Sequence, residues 1–286
     1  MPKEGNQAPG PDTVEIKNDL NGQAPTDADF LNLLNTTPPF AGFGFGGAQF
    51  IELAELRRTE RKGDLVFLGF DKELSRHFGD CNSGAAAFVR EKTFCMMPWT
   101  QEFAAPSHDI GIVTCGDLDL AIKAISVFCG HIATLGCRPI LVGCDHTASL
   151  AAALGVAFSS EKPPVYLYFD AHLDLGLHNV TPNLHNGNFV NFLLKSDRIA
   201  EVVNVGSRCW SSFVPVYDNV PRFSIVKGGV PHVPPEKMIE QLSSLKGRTL
   251  YVSLDADVLD PSCAPNVSCP EPFGMSAMEL FEVCNW

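Results

Sequence analysis

Three short segments of the chain place carboxylate and imidazole side chains directly after apolar runs. Charged groups that lie this close together are costly to remove from water unless something pairs with them. The pattern therefore predicts that either solvent or a cation reaches these side chains. The segments are LVGCDHT with Asp145 and His146, VYLYFDAHLDL with Asp170, His172 and Asp174, and YVSLDADVLDP with Asp255, Asp257 and Asp260.

The spacing within these segments favours a metal site. Alternate residues of an extended chain point the same way, so the side chains of each segment converge if the chain stays extended past its strand. Converging carboxylates repel each other, and two divalent cations would balance four of them. Carboxylate and imidazole ligands suit ions such as Mn²⁺, and the lack of Cys ligands weakens the case for structural zinc. The candidate ligands are His146, Asp170, His172, Asp174, Asp255 and Asp257.

The chemistry expected of such a site is hydrolysis. Two metal ions bridged by carboxylates lie about 3.5–4 Å apart and can hold one water, which loses a proton near neutral pH and becomes a nucleophile. Each segment alone has a simpler interpretation. His146 could be a hydrogen-bonded or half-exposed residue, and the aspartates before Pro261 could form an Asx turn. The three segments together favour the metal site, because ligands collect at the carboxyl ends of parallel strands.

Short apolar runs alternate with helix-length segments and supply those strand ends. This alternation predicts an α/β fold with three layers, α/β/α, in which a mainly parallel sheet is covered on both faces. We expect residues 30–286 to form a single domain behind a polar, disordered tail over residues 1–29. The predicted strands are 64–70, 138–145, 165–170, 201–207 and 249–257, and the predicted helices are 116–136, 146–155, 188–196, 234–247 and 275–285.

Composition excludes several classes of protein. The 286 residues are 45% hydrophobic and 19% charged, as in one large globular domain, and no apolar run is long enough to span a membrane. The net charge of −12 without a Lys/Arg cluster argues against a nucleic-acid partner. The N-terminus lacks an apolar signal core, and the ten cysteines form no C-x-x-C pair, so we expect reduced thiols and a cytoplasmic location.

A glycine-rich stretch, GFGFGG over residues 42–47, matches the G-x-G-x-x-G pattern of dinucleotide-binding proteins. No buried strand precedes it and no helix clearly opens after it, so the pattern lacks the context that a dinucleotide site needs. We expect a flexible loop here instead.

The three acidic segments resemble motifs of the ureohydrolase superfamily, which includes arginase, agmatinase and formiminoglutamase. Members carry a G-G-D-H-S-like motif, a D-A-H-x-D motif and an S-x-D-x-D-x-x-D-P motif in that order. The likeness extends from about Asp64 to the chain end, with Cys144 and Thr147 standing where the family usually has glycine and often has serine. The corresponding segments are GCDHT (143–147), DAHLD (170–174) and SLDADVLDP (253–261).

The resemblance implies two Mn²⁺ ions per chain, with Asp170 and Asp255 bridging them. His146 and Asp174 would complete one ion and His172 and Asp257 the other. A metal-bridging hydroxide would attack the carbon of a linear guanidino or formimino compound, and Asp174 would relay protons.

The resemblance also implies roles for the segment HNVTPNLHNGNFVNFLL, which is similar to the family's substrate loop. His185 aligns with a proton-shuttling histidine, and Asn179, Asn183 and Asn188 are candidate partners for the substrate's amino-acid end. Arg208 is a weaker candidate, either a carboxylate partner or an ordinary surface residue. The substrate stays open among arginase, agmatinase and formiminoglutamase types, and the family suggests trimers or hexamers.

Family members continue past the point that corresponds to Trp286, through a further strand whose end carries a guanidinium-binding glutamate. From the resemblance we therefore expect the C-terminal elements to be missing from this sequence, which would leave an exposed sheet edge. Two alternatives follow: an inactive homologue that acts as a binding or regulatory subunit, and a mononuclear zinc deacetylase of related fold. Six candidate ligands exceed what one zinc ion needs, which disfavours the deacetylase.

Overall fold

The structure is a computed structural model, and it describes residues 26–36, 45–58, 61–73, 84–93, 106–176, 183–209, 219–226 and 233–286. Strands and helices alternate along most of this length. The strands are β1 Leu34–Asn35, β2 Gln49–Phe50, β3 Leu65–Phe70, β4 Ser107–Val113, β5 Arg138–Gly143, β6 Val165–Phe169, β7 Glu201–Val205, β8 Phe223–Val226 and β9 Leu250–Leu254. The α-helices are α1 Leu53–Leu56, α2 Ala85–Thr93, α3 Leu118–Thr134, α4 Thr147–Ser159, α5 Phe189–Lys195, α6 Pro235–Leu242 and α7 Ala277–Cys284.

The strands form two sheets. The first has the order β1-β4-β3-β5, with β2 also beside β4, and the second has the order β8-β7-β6-β9. Every pair is parallel except β1 with β4. The predicted mainly parallel α/β fold is confirmed, but the described strands divide between two sheets because β5 and β9 do not pair with each other.

Alternation within β6 shows why the second sheet is covered on both faces. Tyr166 and Tyr168 pack into one hydrophobic cluster with α4 and α5. Leu167 and Phe169 point the opposite way, into a cluster with α6 and α7. Because side chains alternate along a strand, an apolar run of this kind requires a helical layer on each side. The three-layer prediction holds for this half of the molecule.

Helices α3 and α4 lie very close together at Gly155. A Cβ atom built at Gly155 would lie 2.1 Å from the backbone oxygen of Ser126 in α3. The sequence predicted that α4 ends at this glycine, but the helix continues to Ser159. Gly155 is therefore a close-approach residue rather than a helix end, and the predicted boundary was wrong.

We expect Gly155→Ala to lower the free energy of unfolding by about 1–3 kcal/mol, because the added methyl group must push two packed helices apart. The midpoint of chemical unfolding measures this change. Gly116→Ala is the matched control, since a Cβ at Gly116 meets no atom within 4 Å. Equal stability of the two variants would contradict the packing described here.

Three further predictions concern the start of the domain, the glycine-rich stretch and membrane-spanning helices. Asp27–Leu33 form a 3₁₀ helix that spans the predicted start of the domain at Phe30, and residues 1–25 lie outside the described residues. Within GFGFGG, Phe45–Gly47 form a 3₁₀ turn, and residues 42–44 lie outside the description. The described part of the chain contains no helix that is both long and apolar enough to cross a bilayer.

Candidate metal centre

The carboxyl ends of three strands meet at one group of acidic side chains around His146. His146 follows β5 and immediately precedes α4, Asp170 follows β6, and Asp255 follows β9. Nδ1 of His146 lies 3.1 Å from Asp174, 3.2 Å from Asp170 and 3.2 Å from Asp255. The structure thus brings side chains that are more than 100 positions apart in the sequence to one point.

A second group forms around His172. Its Nδ1 lies 2.9 Å from Asp257 and 3.5 Å from the Oδ1 atom of Asp170. Asp170 belongs to both groups of potential ligand atoms, one with His146 and Asp174 and the other with His172 and Asp257. Its carboxylate therefore stands between two clusters, each with the donor types of a divalent-cation site.

The side chains converge through tight turns and not through the extended chain that the sequence predicted. Asp174 adopts a left-handed conformation with φ of 48°. After β9, residues Ala256–Val258 form a 3₁₀ turn in which the amide of Asp257 donates to Asp255 at 3.0 Å. The predicted convergence is found, but the geometric reason given for it was wrong.

Hydrogen bonds from the sheet hold the segment between Asp170 and Asp174. The hydroxyl of Tyr168 donates to the carbonyl of Leu173 at 2.6 Å, and the side-chain amide of Asn204 donates to the carbonyl of His172 at 3.0 Å. The backbone amide of Ala171 donates to Asp257 at 3.0 Å, which ties two of the acidic segments together. The ligand geometry is thus fixed by groups on β6 and β7.

Burial and mutual repulsion dominate the electrostatics of the centre. Burial, together with the negative charge of Asp170, raises the pKa of Asp174 to about 7. Burial also raises the pKa of Asp257, aided by the charges of Asp170 and Asp255. Burial opposes protonation of His172, but the carboxylates of Asp170 and Asp257 outweigh it and raise the pKa of the imidazole to about 12. The buried carboxylates thus depend on positive partners, and the protonated imidazole of His172 is one of them.

One atom of the cluster leaves room for a further positive partner. Oδ2 of Asp170 is buried and accepts no hydrogen bond, although Nδ1 of His146 lies 3.2 Å away. The single hydrogen on Nδ1 can serve only one acceptor, and it is also within reach of Asp174 at 3.1 Å. Buried carboxylate oxygens without a donor are costly, and a cation removes that cost. The residues present therefore fit divalent ions.

The remaining acidic residues of the three segments have structural partners. Asp145 accepts from the amide of Thr147 at 3.0 Å and from its hydroxyl at 2.7 Å, which caps the start of α4. Asp260 accepts from Ser262 and from the amide of Gly274, as expected for an Asx turn.

The predicted substrate loop contributes His185 and Asn188 to the wall of the cavity beside the candidate metal ligands. The amide of Gly187 donates to Nδ1 of His185 at 3.1 Å, which places the imidazole proton on Nε2 in the neutral form. Asn179 lies outside the described residues. Asn183 is exposed and does not belong to the cavity wall.

Asn188 forms hydrogen bonds within the substrate loop, and its predicted contact with a substrate stays a prediction. Its side-chain oxygen accepts from the amide of His185 at 2.8 Å, and its side-chain nitrogen donates to the carbonyl of Asn183 at 2.8 Å. Because both ends of this buried amide form hydrogen bonds within the loop, Asn188 braces the loop that carries His185. Sequence reasoning missed Asn186, which lines the cavity and has a buried side-chain oxygen without a hydrogen-bond partner in the described structure.

Arg208 is neither a carboxylate partner nor a surface residue, so both predicted alternatives were wrong. Its side chain is buried, and the residue is only 7% exposed. The guanidinium donates to the carbonyls of Asp257, Val258 and Leu259 at 2.8, 3.0 and 3.1 Å. It also donates to the carbonyls of Glu271 and Pro272 at 2.8 and 3.0 Å. Arg208 therefore fixes the backbone that carries Asp257.

We expect Arg208→Lys to weaken metal binding at the His172–Asp257 group by about 10–100-fold, because an ammonium group cannot reach all of these carbonyls and supporting residues have effects of this size. Titration with Mn²⁺ measures the affinity. The matched control is Arg222→Lys, since Arg222 also donates to backbone carbonyls, those of Ser196 and Ile199. Equal metal affinities of the two variants would contradict the role assigned to Arg208.

The candidate ligands open into a cavity of about 1750 Å³. Its wall includes His146, Asp170, His172 and Asp257 at one end, and it continues along β5 and β9. A small molecule can reach the centre through this space.

Comparisons with known proteins agree with the site. The sequence matches the Arginase family over residues 64–285. It is 26% identical over 241 residues to agmatinase of Chromobacterium violaceum, covering 77% of this chain and 70% of the relative. It is 28% identical over 236 residues to formimidoylglutamase of Nocardia farcinica, covering 77% and 73% of the two chains.

Solved structures show the same fold. Proclavaminate amidino hydrolase from Streptomyces clavuligerus superposes with a TM-score of 0.68 at 19% identity, over 84% of this chain and 82% of that chain. Trypanosoma cruzi formiminoglutamase, solved with Mn²⁺, superposes with a TM-score of 0.65 at 21% identity, over 82% and 84% of the two chains. By its sequence match, with the fold in agreement, this chain belongs to the arginase family, within the ureohydrolase superfamily that its motifs resemble.

Proposed function

We propose that this chain is a manganese-dependent hydrolase of a linear guanidino or formimino compound, with two Mn²⁺ ions per chain. The observation that supports this best is the buried Asp170 carboxylate, which stands between two ligand clusters and has an oxygen without a hydrogen-bond donor. Membership of the arginase family and similarity to agmatinases and formimidoylglutamases support hydrolysis of a carbon–nitrogen bond.

The proposed ligand assignment follows the two clusters. His146 and Asp174 serve one ion, His172 and Asp257 serve the other, and Asp170 is shared. Asp255 lies outside both compact clusters but 3.2 Å from Nδ1 of His146, and we keep it as the second shared ligand. When bound, two divalent ions supply a water that ionises near neutral pH.

Two residues are proposed to move protons. Asp174 lies beside the shared carboxylate and is placed to take a proton from the attacking water. His185 lies in the cavity wall, and in its protonated form it would give a proton to the departing amine. Asn183 lies in the loop beside that wall, and with Asn179 it stays a candidate for holding the far end of the substrate.

The sequence predictions about domain, substrate class, location and assembly are kept as proposals. We propose one catalytic domain over residues 30–286, a small-molecule substrate, a cytoplasmic location and a trimer or hexamer. Among the described residues, nothing favours the inactive-subunit alternative. Two ligand clusters instead of one also disfavour a mononuclear zinc deacetylase.

The experiment removes metal from the purified protein with a chelator, restores Mn²⁺, and measures both metal content and turnover. The substrates are arginine, agmatine, guanidinobutyrate and formiminoglutamate, with release of urea or formamide as the readout. We expect Mn²⁺-dependent turnover of one of them. Bound metal without turnover on any substrate would instead support the inactive subunit, and a single zinc ion per chain would support the deacetylase.

A further inference from the structure

The two imidazoles of the candidate metal centre are oriented in the same way. Nδ1 of His146 faces three carboxylates, and Nδ1 of His172 lies 2.9 Å from Asp257 and 3.5 Å from Asp170. A neutral imidazole binds a metal through one ring nitrogen and carries its hydrogen on the other. Since Nδ1 is the nitrogen placed to bind in both rings, Nε2 carries the hydrogen and needs an acceptor of its own.

The groups that face the two Nε2 atoms differ in charge. Nε2 of His146 lies 3.1 Å from the hydroxyl of Ser253, which lies 2.9 Å from the hydroxyl of Ser149. Nε2 of His172 lies 3.6 Å from Oε1 of Glu271, which is an ion-pair distance. One imidazole is therefore backed by a neutral hydroxyl and the other by a carboxylate. Glu271 itself belongs to neither group of candidate ligand atoms.

The backbone of Glu271 is fixed by the same side chain that fixes Asp257. The guanidinium of Arg208 donates to the carbonyls of Asp257 and Glu271, both at 2.8 Å. The carboxylates of these two residues lie beside different nitrogens of the His172 ring. One buried guanidinium thus sets the positions of the two acidic residues that bracket this imidazole.

The segment after Glu271 is also held tightly against the turn that follows β9. The amide of Asp260 donates to the carbonyl of Met275 at 2.8 Å, and the amide of Gly274 donates to the carboxylate of Asp260 at 3.1 Å. A Cβ atom built at Gly274 would lie 2.4 Å from the amide nitrogen of Asp260, so the two backbones touch. Glu271 therefore has a defined place relative to the turn that carries Asp257.

His172 is the cationic side chain that Glu271 faces. The two side chains are 24% and 29% exposed, so their contact is partly withdrawn from water. Within the described ranges of the chain, no Lys or Arg side chain lies within 4.0 Å of the Glu271 carboxylate. The carboxylate is thus available to the imidazole hydrogen on Nε2.

We propose that Glu271 is a positioning residue for His172: its carboxylate accepts the hydrogen on Nε2 and directs the lone pair of Nδ1 toward the metal. This inference rests on the proposed two-ion centre and adds a residue that touches neither ion. Carboxylates behind metal-binding histidines fix the orientation of the ring and raise its basicity. Because a neutral hydroxyl backs His146, only the ion at the His172 cluster depends on Glu271.

The test is a stepwise titration of the metal-free protein with Mn²⁺. We expect Glu271→Ala to weaken binding of one ion by about 10–100-fold, which is typical for loss of such a supporting group, and to leave the affinity for the other ion unchanged. Glu271→Gln is expected to fall between Glu271→Ala and the unchanged protein, because its amide oxygen still accepts from Nε2 but carries no charge.

Electron paramagnetic resonance gives a second readout. Two Mn²⁺ ions that share a carboxylate are magnetically coupled, whereas a single bound ion gives the spectrum of isolated manganese. At an Mn²⁺ concentration that just fills both sites of the unchanged protein, Glu271→Ala is expected to show the isolated form. A residue that only stabilised the fold would not separate the two ions in this way.

Two further proteins serve as controls. Glu201→Gln removes a carboxylate of similar exposure, 31%, from its ion pair with Arg248 at 2.6 Å, and it is expected to keep both Mn²⁺ affinities. In a His172→Asn background, Glu271→Ala is expected to cause no further loss, because its effect passes through the imidazole. The ion that remains in His172→Asn also identifies the affinity of the His146 cluster.

The possible failures are distinguishable. Unchanged affinities in Glu271→Ala, equal weakening of both ions, an equal loss in Glu201→Gln, or a further loss in the His172→Asn background would overturn the role of Glu271 and leave the two-ion centre in place. An unchanged protein that binds fewer than two Mn²⁺ ions would overturn the centre itself, and the role of Glu271 with it.

Discussion

Asp170→Asn is expected to lower kcat by at least about a thousandfold and to reduce the amount of Mn²⁺ bound at both clusters. Asp170 is completely buried and belongs to both groups of ligand atoms. Asparagine keeps the shape but replaces one oxygen with an amide nitrogen that cannot ligate a cation, and it removes a negative charge. Activity assays and metal analysis on the same preparation measure the two losses together.

The control for this variant is Asp145→Asn. Asp145 lies at the neighbouring strand end and is also buried, but its carboxylate caps α4 through Thr147. Asparagine caps helices about as well as aspartate, so this variant is expected to keep its metal and its activity. A loss of metal in both variants would show that negative charge near the site, and not a shared ligand, accounts for metal binding.

His172→Asn is expected to remove one of the two ions and to leave the other in place. His172 contributes to the cluster with Asp257, whereas the cluster of His146 and Asp174 does not contain it. We expect metal content to fall from two to one per chain and kcat to fall by about 100-fold or more, because a single ion cannot hold a bridging water. Metal analysis after removal of excess Mn²⁺ gives the stoichiometry.

His108→Asn provides the comparison for this second variant. His108 is a buried histidine whose Nε2 contacts Asp64 at 2.8 Å, and it belongs to neither candidate cluster. Its replacement is expected to affect stability and to leave metal content at two per chain. If His172→Asn also kept two ions, His172 would not be a ligand.

Most of the elements around the site could be predicted from the sequence, because apolar strands and amphipathic helices leave local patterns. β4 could not, since its run Ser107–Val113 contains Asp109. That aspartate is buried because the guanidinium of Arg90 on α2 donates to it at 2.7 Å. A buried charge on a strand is understandable only once its distant partner is known, and no local pattern supplies that partner.

The candidate metal ligands could also be predicted from the sequence, because their pattern is local. Carboxylates and imidazoles directly after apolar strands are a local signal, and the family motifs specify which of them matter. The turns at Asp174 and at Ala256–Val258 could not be predicted, because the two loops are held against each other by contacts such as the bond from the amide of Ala171 to Asp257. The contacts of Arg208 and the unpaired oxygen of Asn186 arise only in the folded chain.

The separation of the sheet into two halves also required the structure. The sequence predicted an exposed edge from the family pattern, but it did not show that β5 and β9 line one cavity beside the candidate metal ligands. That arrangement follows from the order β1-β4-β3-β5 and β8-β7-β6-β9, which no local pattern encodes. The positions of β5 and β9 thus explain why the cavity that they line also contains the candidate metal ligands.

The central claim is that two divalent ions share the Asp170 carboxylate, and a crystal soaked with saturating Mn²⁺ tests it most directly. An anomalous-scattering map is predicted to show two peaks about 3.5–4 Å apart, one beside His146 and one beside His172. A single peak, or an empty cluster with its carboxylates turned away from each other, would contradict the proposed centre.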